Sequence, residues 1–241
     1  MHLNKFNIFL FGYTSTLGKQ ILIDLNNKFK ESNFFLFSKN ILDSSQISEK
    51  NENKCTIIKL DLSNTEHTKE VIIEAQKLCK NKIDIIVFCS ISKTNSPFND
   101  IEESKIINDI NINIISQILI IKSILPLMEN KNFGHIVNIS SGTSIFGLPE
   151  TSMYSLSKAS LQSLFECLHF EFYKKNIYFK NFFTGEFDKN NSRQLSKKIS
   201  EKIFSKKLNI YLKNYVYLAF ILKIFPSFYK LLNIIQIFKN K

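Results

Sequence analysis

Short runs of Ile, Val, Phe and Leu with no polar alternation recur along the chain, at Phe6–Phe11, Asn33–Ser38, Cys55–Leu60, Asp84–Cys89, His135–Ser140 and Ile177–Phe183. A strand covered on both faces has no polar side to alternate with, so such runs mark the inner strands of a parallel sheet. Leu208–Leu212 has the same character and is a candidate seventh strand. The stretches between the runs are long enough for crossover helices, and the right-handed rule for β-α-β connections winds them onto both faces. The pattern therefore predicts an α/β fold: a Rossmann-like, doubly wound parallel sheet of about seven strands in a three-layer α/β/α arrangement. This single domain is expected to occupy residues 1–212, with residues 213–241 as a C-terminal helical tail.

Composition narrows this only slightly. A chain of 241 residues suits one such core, and no linker rich in Gly, Pro or Ser divides it. Cys55, Cys79, Cys89 and Cys167 form no C-x-x-C pair, and His2, His67, His135 and His169 lack ligand spacing, so neither disulfides nor a metal site are expected. Asn4, Lys5 and Asn7 stand directly before the first strand, which does not read as a cleavable signal peptide, and a reducing, cytoplasmic setting is the expectation.

Charge adds a further division. Of 32 basic and 21 acidic residues, 12 basic and 1 acidic lie in residues 189–241, leaving 20 of each in residues 1–188. The whole surplus of +11 thus belongs to the end of the chain. There, Tyr211–Phe238 is apolar and aromatic, punctuated by Lys213, Lys223, Lys230 and Pro226. Its uninterrupted apolar stretch, Tyr215–Leu222, falls far short of the roughly 20 residues a spanning helix needs. Lysines flanking aliphatic and aromatic residues suit a helix lying in an anionic membrane surface, which would make the protein peripheral at the inner face. A helix packed on the domain or on a second copy in a homo-oligomer accounts for the tail equally well. Nucleic acid is not an expected partner, because the aromatics sit within an apolar stripe rather than an exposed stacking surface.

The chemistry-bearing residues lie at the ends of the strands. After the first comes Gly12-Tyr13-Thr14-Ser15-Thr16-Leu17-Gly18, then an amphipathic stretch through Lys28. Strand, small-residue turn and helix together form an anion-binding arrangement, with backbone N–H groups and the helix N-terminus facing a pyrophosphate. The second strand ends Phe37-Ser38-Lys39-Asn40, with a base and no acid where a ribose 2′-hydroxyl or 2′-phosphate is read, which favours NADP(H) over NAD(H). Ser141 precedes Tyr154-Ser155-Leu156-Ser157-Lys158, and the i, i+4 spacing puts Tyr154 and Lys158 on one helical face. A neighbouring ammonium is expected to lower the phenol's pKa from about 10 and make Tyr154 a usable proton donor.

These motifs, in this order and spacing, resemble those of short-chain dehydrogenases/reductases. Gly12 and Gly18 fall on the first and last glycines of that family's T-G-x-x-x-G-x-G loop, with Thr16 in place of the middle one. The resemblance implies an enzyme transferring a hydride between a nicotinamide and a carbonyl or secondary alcohol. It further implies that Tyr154 protonates the developing alkoxide, Ser141 holds its oxygen, and Lys158 tunes Tyr154 and bonds the nicotinamide ribose. Asn113, thirteen residues before Pro126 of the Leu125-Pro126 pair that ends the fourth crossover helix in the family, would anchor a proton-relaying water, with Asn111 as the nearby rival. Cofactor contacts are implied for Gly12, Thr14, Ser15, Thr16, Leu17 and Gly18 at the pyrophosphate, for Lys39 at the 2′-phosphate, for Asp61 and Leu62 beside the adenine, and for Cys89, Ser90 and Ile91 beside its ribose. Tyr154, Lys158, Thr184, Gly185 and Phe187 would contact the nicotinamide side, the last three in the place of a P-G-x-x-x-T segment. The tail resembles that of members acting on lipid-linked substrates, including reductases of polyprenyl-phosphate-linked keto sugars, so a lipid-linked ketone joins small-molecule carbonyls as a substrate class. A helix-like Gln194–Phe204 soon after Gly185 leaves room for only a brief lid and implies an open site. Thr16, Phe88–Ile91 and Thr184 depart from the family pattern and motivate an alternative, a catalytically weak nucleotide-binding scaffold or sensor.

Overall fold

β1 (Asn7–Phe11), β2 (Asn33–Ser38), β3 (Lys54–Lys59), β4 (Ile85–Phe88), β5 (Gly134–Ser140), β6 (Ile177–Phe183) and β7 (Asn209–Tyr211) pair in parallel in the order β3-β2-β1-β4-β5-β6-β7. The computed structural model describes residues 5–41, 52–185, 189–213 and 216. The strand order reverses between β1 and β4, and in an open α/β sheet the crevice at the carboxyl ends of such a pair is where ligands bind.

Side chains of each strand alternate between two helical layers. From β1, Phe9 and Phe11 face the layer of α2 (Thr65–Leu78), α4 (Ser116–Asn130) and α5 (Ser152–Phe172). Ile8 and Leu10 face α1 (Thr16–Lys28) and α6 (Lys189–Lys202). Five phenylalanines, Phe9, Phe11, Phe35, Phe37 and Phe88, form a ladder on the first face, with the Phe11 and Phe37 rings stacked 4.4 Å apart. Full burial of a side chain of this size contributes about 1.5–3 kcal/mol. The ladder therefore fixes the β2-β1-β4 register that places the strand ends.

α3 (Glu103–Ile110) runs through one π-helical turn, Asn111–Ile115, into α4. Glu103–Asn130 as a whole is long and apolar enough to cross a bilayer by composition. It instead walls the domain, with Asp109, Asn113 and Ser116 buried and hydrogen-bonded to neighbouring segments. The helix also continues past Pro126, where the family pattern would end it. Proline removes one helical hydrogen bond, and the buried Ile124 and Met128 on either side hold the next turn in place. α6 begins at Lys189, earlier than the helix expected from Gln194. Of the expected tail, only Lys213 and Val216 lie among the described residues, and Val216 packs on Ile145 and Phe183.

Candidate active site

The turn after β1 is shaped by close approach. Gly12 has φ +77°, and a Cβ there would stand 2.5 Å from the Ser90 amide nitrogen. A Cβ on Gly18 would stand 2.2 Å from the Gly12 carbonyl oxygen, so α1 starts directly against the turn. Ser15 caps α1, its hydroxyl donating to the Gly12 carbonyl at 2.9 Å and accepting from the Gly18 amide at 3.0 Å. The amides of Thr16 and Leu17, as in any first helical turn, have no intrahelical partner. Beside this turn opens a cleft of about 340 Å³ at the switch point, lined by Gly12, Thr14, Ser15, Lys39, Asp61, Leu62, Cys89, Ser90 and Ile91 among others, with Phe11 and Phe37 also in its wall. Leu17 and Gly18 lie behind it; the Leu17 side chain belongs to the core, which leaves its backbone as the part that could meet a phosphate. Ser90 Oγ is buried without a hydrogen-bond partner among the described residues. An orphaned hydroxyl, a glycine-walled turn and first-turn amides fit a dinucleotide.

At the far end of the cleft the expected free base is not free. The β2–β3 register pairs Ser38 with Lys59, which brings Lys39 and Asp61 together, and Lys39 Nζ lies 2.8 Å from Asp61 Oδ2. Burial would raise the Asp61 carboxyl, but hydrogen bonds from Lys39 and Ser63 and the Lys39 charge hold it below the usual carboxylate value. Two residues read separately, one for a 2′-phosphate and one for adenine, thus form an exposed ion pair worth about 0–1 kcal/mol. Such a pair opens readily for a better anion.

Ser141, Tyr154 and Lys158 converge at the end of β5. Ser141 begins a 3-10 turn, Gly142–Ser144, and its hydroxyl accepts from the Thr143 amide at 3.3 Å and lies beside the Tyr154 phenol. Lys158 is buried, its ammonium 5.8 Å from the centre of the Tyr154 ring and donating to the Ile139 carbonyl at 2.6 Å. The expected lowering of the phenol by Lys158 does not occur in this geometry. Burial pushes Tyr154 above its ordinary value, offset in part by Ser141. Burial likewise brings Lys158 down to about 8, with Cys89 acting in the opposite direction. Desolvation dominates both groups, and the ammonium is directed at a carbonyl rather than at the phenolic oxygen.

Asn113 sits in the π turn, fully buried. Its Oδ1 accepts from the Ser92 amide at 2.8 Å, and its Nδ2 donates to the Ser92 carbonyl at 2.7 Å and to Ser157 Oγ at 3.3 Å. The side chain therefore joins the loop after β4 to α5 one residue before Lys158, and the backbone of the π turn is the part left to hold a water. Asn111 instead donates to the Ser63 carbonyl, away from this group. Thr184 Oγ1 donates to the Ser140 carbonyl at 3.2 Å, and Gly185 turns with φ +65°. Phe187 lies outside the described residues. Asp109, which no motif singles out, accepts from Ser92 Oγ at 2.5 Å and Thr94 Oγ1 at 2.6 Å. Its position four residues before Asn113 on one helical face was a usable signal. Among the described residues no cluster of three or more His, Cys, Asp or Glu could hold a metal ion.

The family described as short chain dehydrogenase matches residues 7–200. Dehydrogenase/reductase SDR family member 7C-B of Danio rerio is 30% identical over 117 residues, covering 48% of this chain and 36% of the relative. The 3-ketodihydrosphingosine reductase of Bos taurus is 25% identical over 177 residues, covering 69% of this chain and 52% of the relative. The matches thus span about a third to a half of the length of these relatives. A solved 3-oxoacyl (acyl-carrier-protein) reductase from Agrobacterium tumefaciens C58 with NADP bound shares the fold, with a TM-score of 0.77 at 15% identity over 87% of this chain and 93% of that one. With a family match that runs from β1 into α6, over the glycine turn and the Ser141, Tyr154 and Lys158 group, the chain belongs to the short chain dehydrogenase family.

Proposed function

We propose that the chain is an NADP(H)-dependent oxidoreductase that interconverts a carbonyl and a secondary alcohol, with Ser141, Tyr154, Lys158 and Asn113 as its working residues. The observation that carries this reading is the Tyr154 phenol set beside Ser141 and a buried lysine, next to a glycine-walled cleft. A nicotinamide bound there would supply the hydride. Ser141 holds the substrate oxygen in line, and Tyr154 gives it a proton as charge develops. Because Tyr154 is raised, it stays protonated through neutral pH, which suits it as the acid of the reductive direction. Lys158 at about 8 keeps most of its charge at neutral pH and loses it above. Reduction is therefore expected to be flat below about pH 8 and to fall as pH rises beyond it.

Lys39 supports NADP(H), since a 2′-phosphate carrying about two negative charges is a stronger partner for it than the single Asp61 carboxylate. The basic, apolar tail supports a lipid-linked ketone and a membrane surface or second subunit as partners. The test is NADPH consumption with a panel of neutral and charged ketones, for the parent and Tyr154→Phe. Loss of a hundredfold or more in kcat is expected. Equal rates in the two proteins would defeat the assignment and favour a nucleotide-binding scaffold.

A further inference from the structure

One lysine at this site has no place in the scheme above. Lys93 follows β4, is exposed, and holds its ammonium 5.2 Å from the centre of the Tyr154 ring, nearer than the 5.8 Å of Lys158. It makes no ion pair with a carboxylate among the described residues. Exposed lysines usually sample many rotamers from a mobile loop, yet the backbone here is held on both sides of Lys93. Asn113 grips both the N–H and C=O of Ser92, while Asp109, fully buried, accepts from the hydroxyls of Ser92 and Thr94. Two residues further on, the Ser96 amide donates to the Glu150 carbonyl in the loop that leads into α5. Lys105, 3.5 Å from Asp109, answers that carboxylate's charge, so Asp109 serves as an anchor without neutralising Lys93.

A cation lying over an aromatic ring keeps donors on its outward side. Lys93 therefore presents positive charge with no carboxylate partner among the described residues over the Tyr154 ring, 5.2 Å from its centre, on the side chain that would face the reacting oxygen. We propose that Lys93 is a specificity-determining residue that selects carbonyl substrates bearing an anionic group, a carboxylate or a phosphate, two or three bonds from the reacting carbon. This rests on the oxidoreductase reading for the identity of the reacting carbon, though the anion site itself is a matter of binding alone.

Binding and turnover separate the two ideas. Calorimetric titration in the presence of NADP would compare acetoacetate with methyl acetoacetate, and dihydroxyacetone phosphate with dihydroxyacetone, for the parent, Lys93→Met and Lys93→Arg. The parent is expected to bind the charged member of at least one pair roughly tenfold more tightly, through a charge-assisted hydrogen bond. Lys93→Met should erase that preference and Lys93→Arg should keep it; the pair that responds more strongly names the anion. A preference that survives in Lys93→Met, the absence of any preference in the parent, or a loss confined to NADP affinity would each overturn the proposal. Where a Lys93-dependent preference is found but no ketone is reduced, the anion site stands and the oxidoreductase reading fails.

Discussion

Substituting Lys180 by methionine examines the opposite end of the sheet, where the fold buries an amine without a counter-charge. Lys180 in β6 is fully buried; its Nζ lies 2.6 Å from His135 Nδ1 and 3.3 Å from the Tyr178 carbonyl. Burial holds the lysine well below its ordinary value. His135 is driven down to about 2, by burial first and then by the charges of Lys180 and Lys131. The histidine is thus a neutral ring that accepts a hydrogen bond from the lysine. In the unfolded chain Lys180 keeps its proton up to about pH 10.4, whereas the folded chain releases it at lower pH. Between those two values the unfolded state binds more protons, so stability climbs as pH rises. Neutralising an ordinary lysine at pH 7 costs up to about 5 kcal/mol. Methionine avoids that cost with a similarly flexible chain, but leaves His135 Nδ1 without its donor, which costs about 1–3 kcal/mol. Lys180→Met is therefore expected to be about 1–3 kcal/mol more stable than the parent at neutral pH and below, with the gain vanishing or reversing near pH 10. Urea unfolding followed by circular dichroism at several pH values on both proteins measures the difference. Lys158, at about 8 in the folded chain, titrates in both proteins and cancels. A gain independent of pH, or a loss at about pH 6, would refute the reasoning.

Two further substitutions probe the cleft. Gly12→Ala combines an unfavourable positive φ with a Cβ 2.5 Å from the Ser90 backbone nitrogen, so the turn must shift. A loss of about 2–4 kcal/mol and at least a tenfold weaker NADP(H) affinity are expected, read by thermal unfolding and by nucleotide fluorescence titration. Asp61→Asn releases Lys39 from its 2.8 Å ion pair and removes a charge that repels a 2′-phosphate. The preference for NADPH over NADH, as the ratio of dissociation constants, should rise by roughly three- to tenfold, and a fall would count against Lys39 as the phosphate partner.

The fold was legible because burial on both faces leaves a plain record: an apolar run such as Phe34–Phe37 or Ile85–Phe88, too short for a buried helix, fits an inner strand and little else. Element ends were less legible where packing overrides local preference. Pro126 is a helix breaker by its own chemistry, and only the burial of Ile124 and Met128 makes the helix run on. The π turn at Asn111–Ile115 left no trace in composition, since Asn and Ile dominate the whole region.

The site shows a different limit, which is one of pairing rather than of position. Lys39, Asp61, Tyr154 and Lys158 are all visible as residue types at strand and helix ends; sequence reads Lys39 and Asp61 singly and joins Tyr154 to Lys158 only by their helical spacing. Register then sets Lys39 against Asp61, and burial turns Lys158 toward the Ile139 carbonyl, so the charges that local sequence leaves available are already engaged. Lys93 is the converse: nothing in its local sequence distinguishes it from any loop lysine. It gains meaning only because Asp109 and Asn113, from a helix later in the chain, immobilise the residues on either side of it. Residue type at an element's end thus shows which chemistry is present, while partners distant in sequence decide which charge is free to act on a ligand.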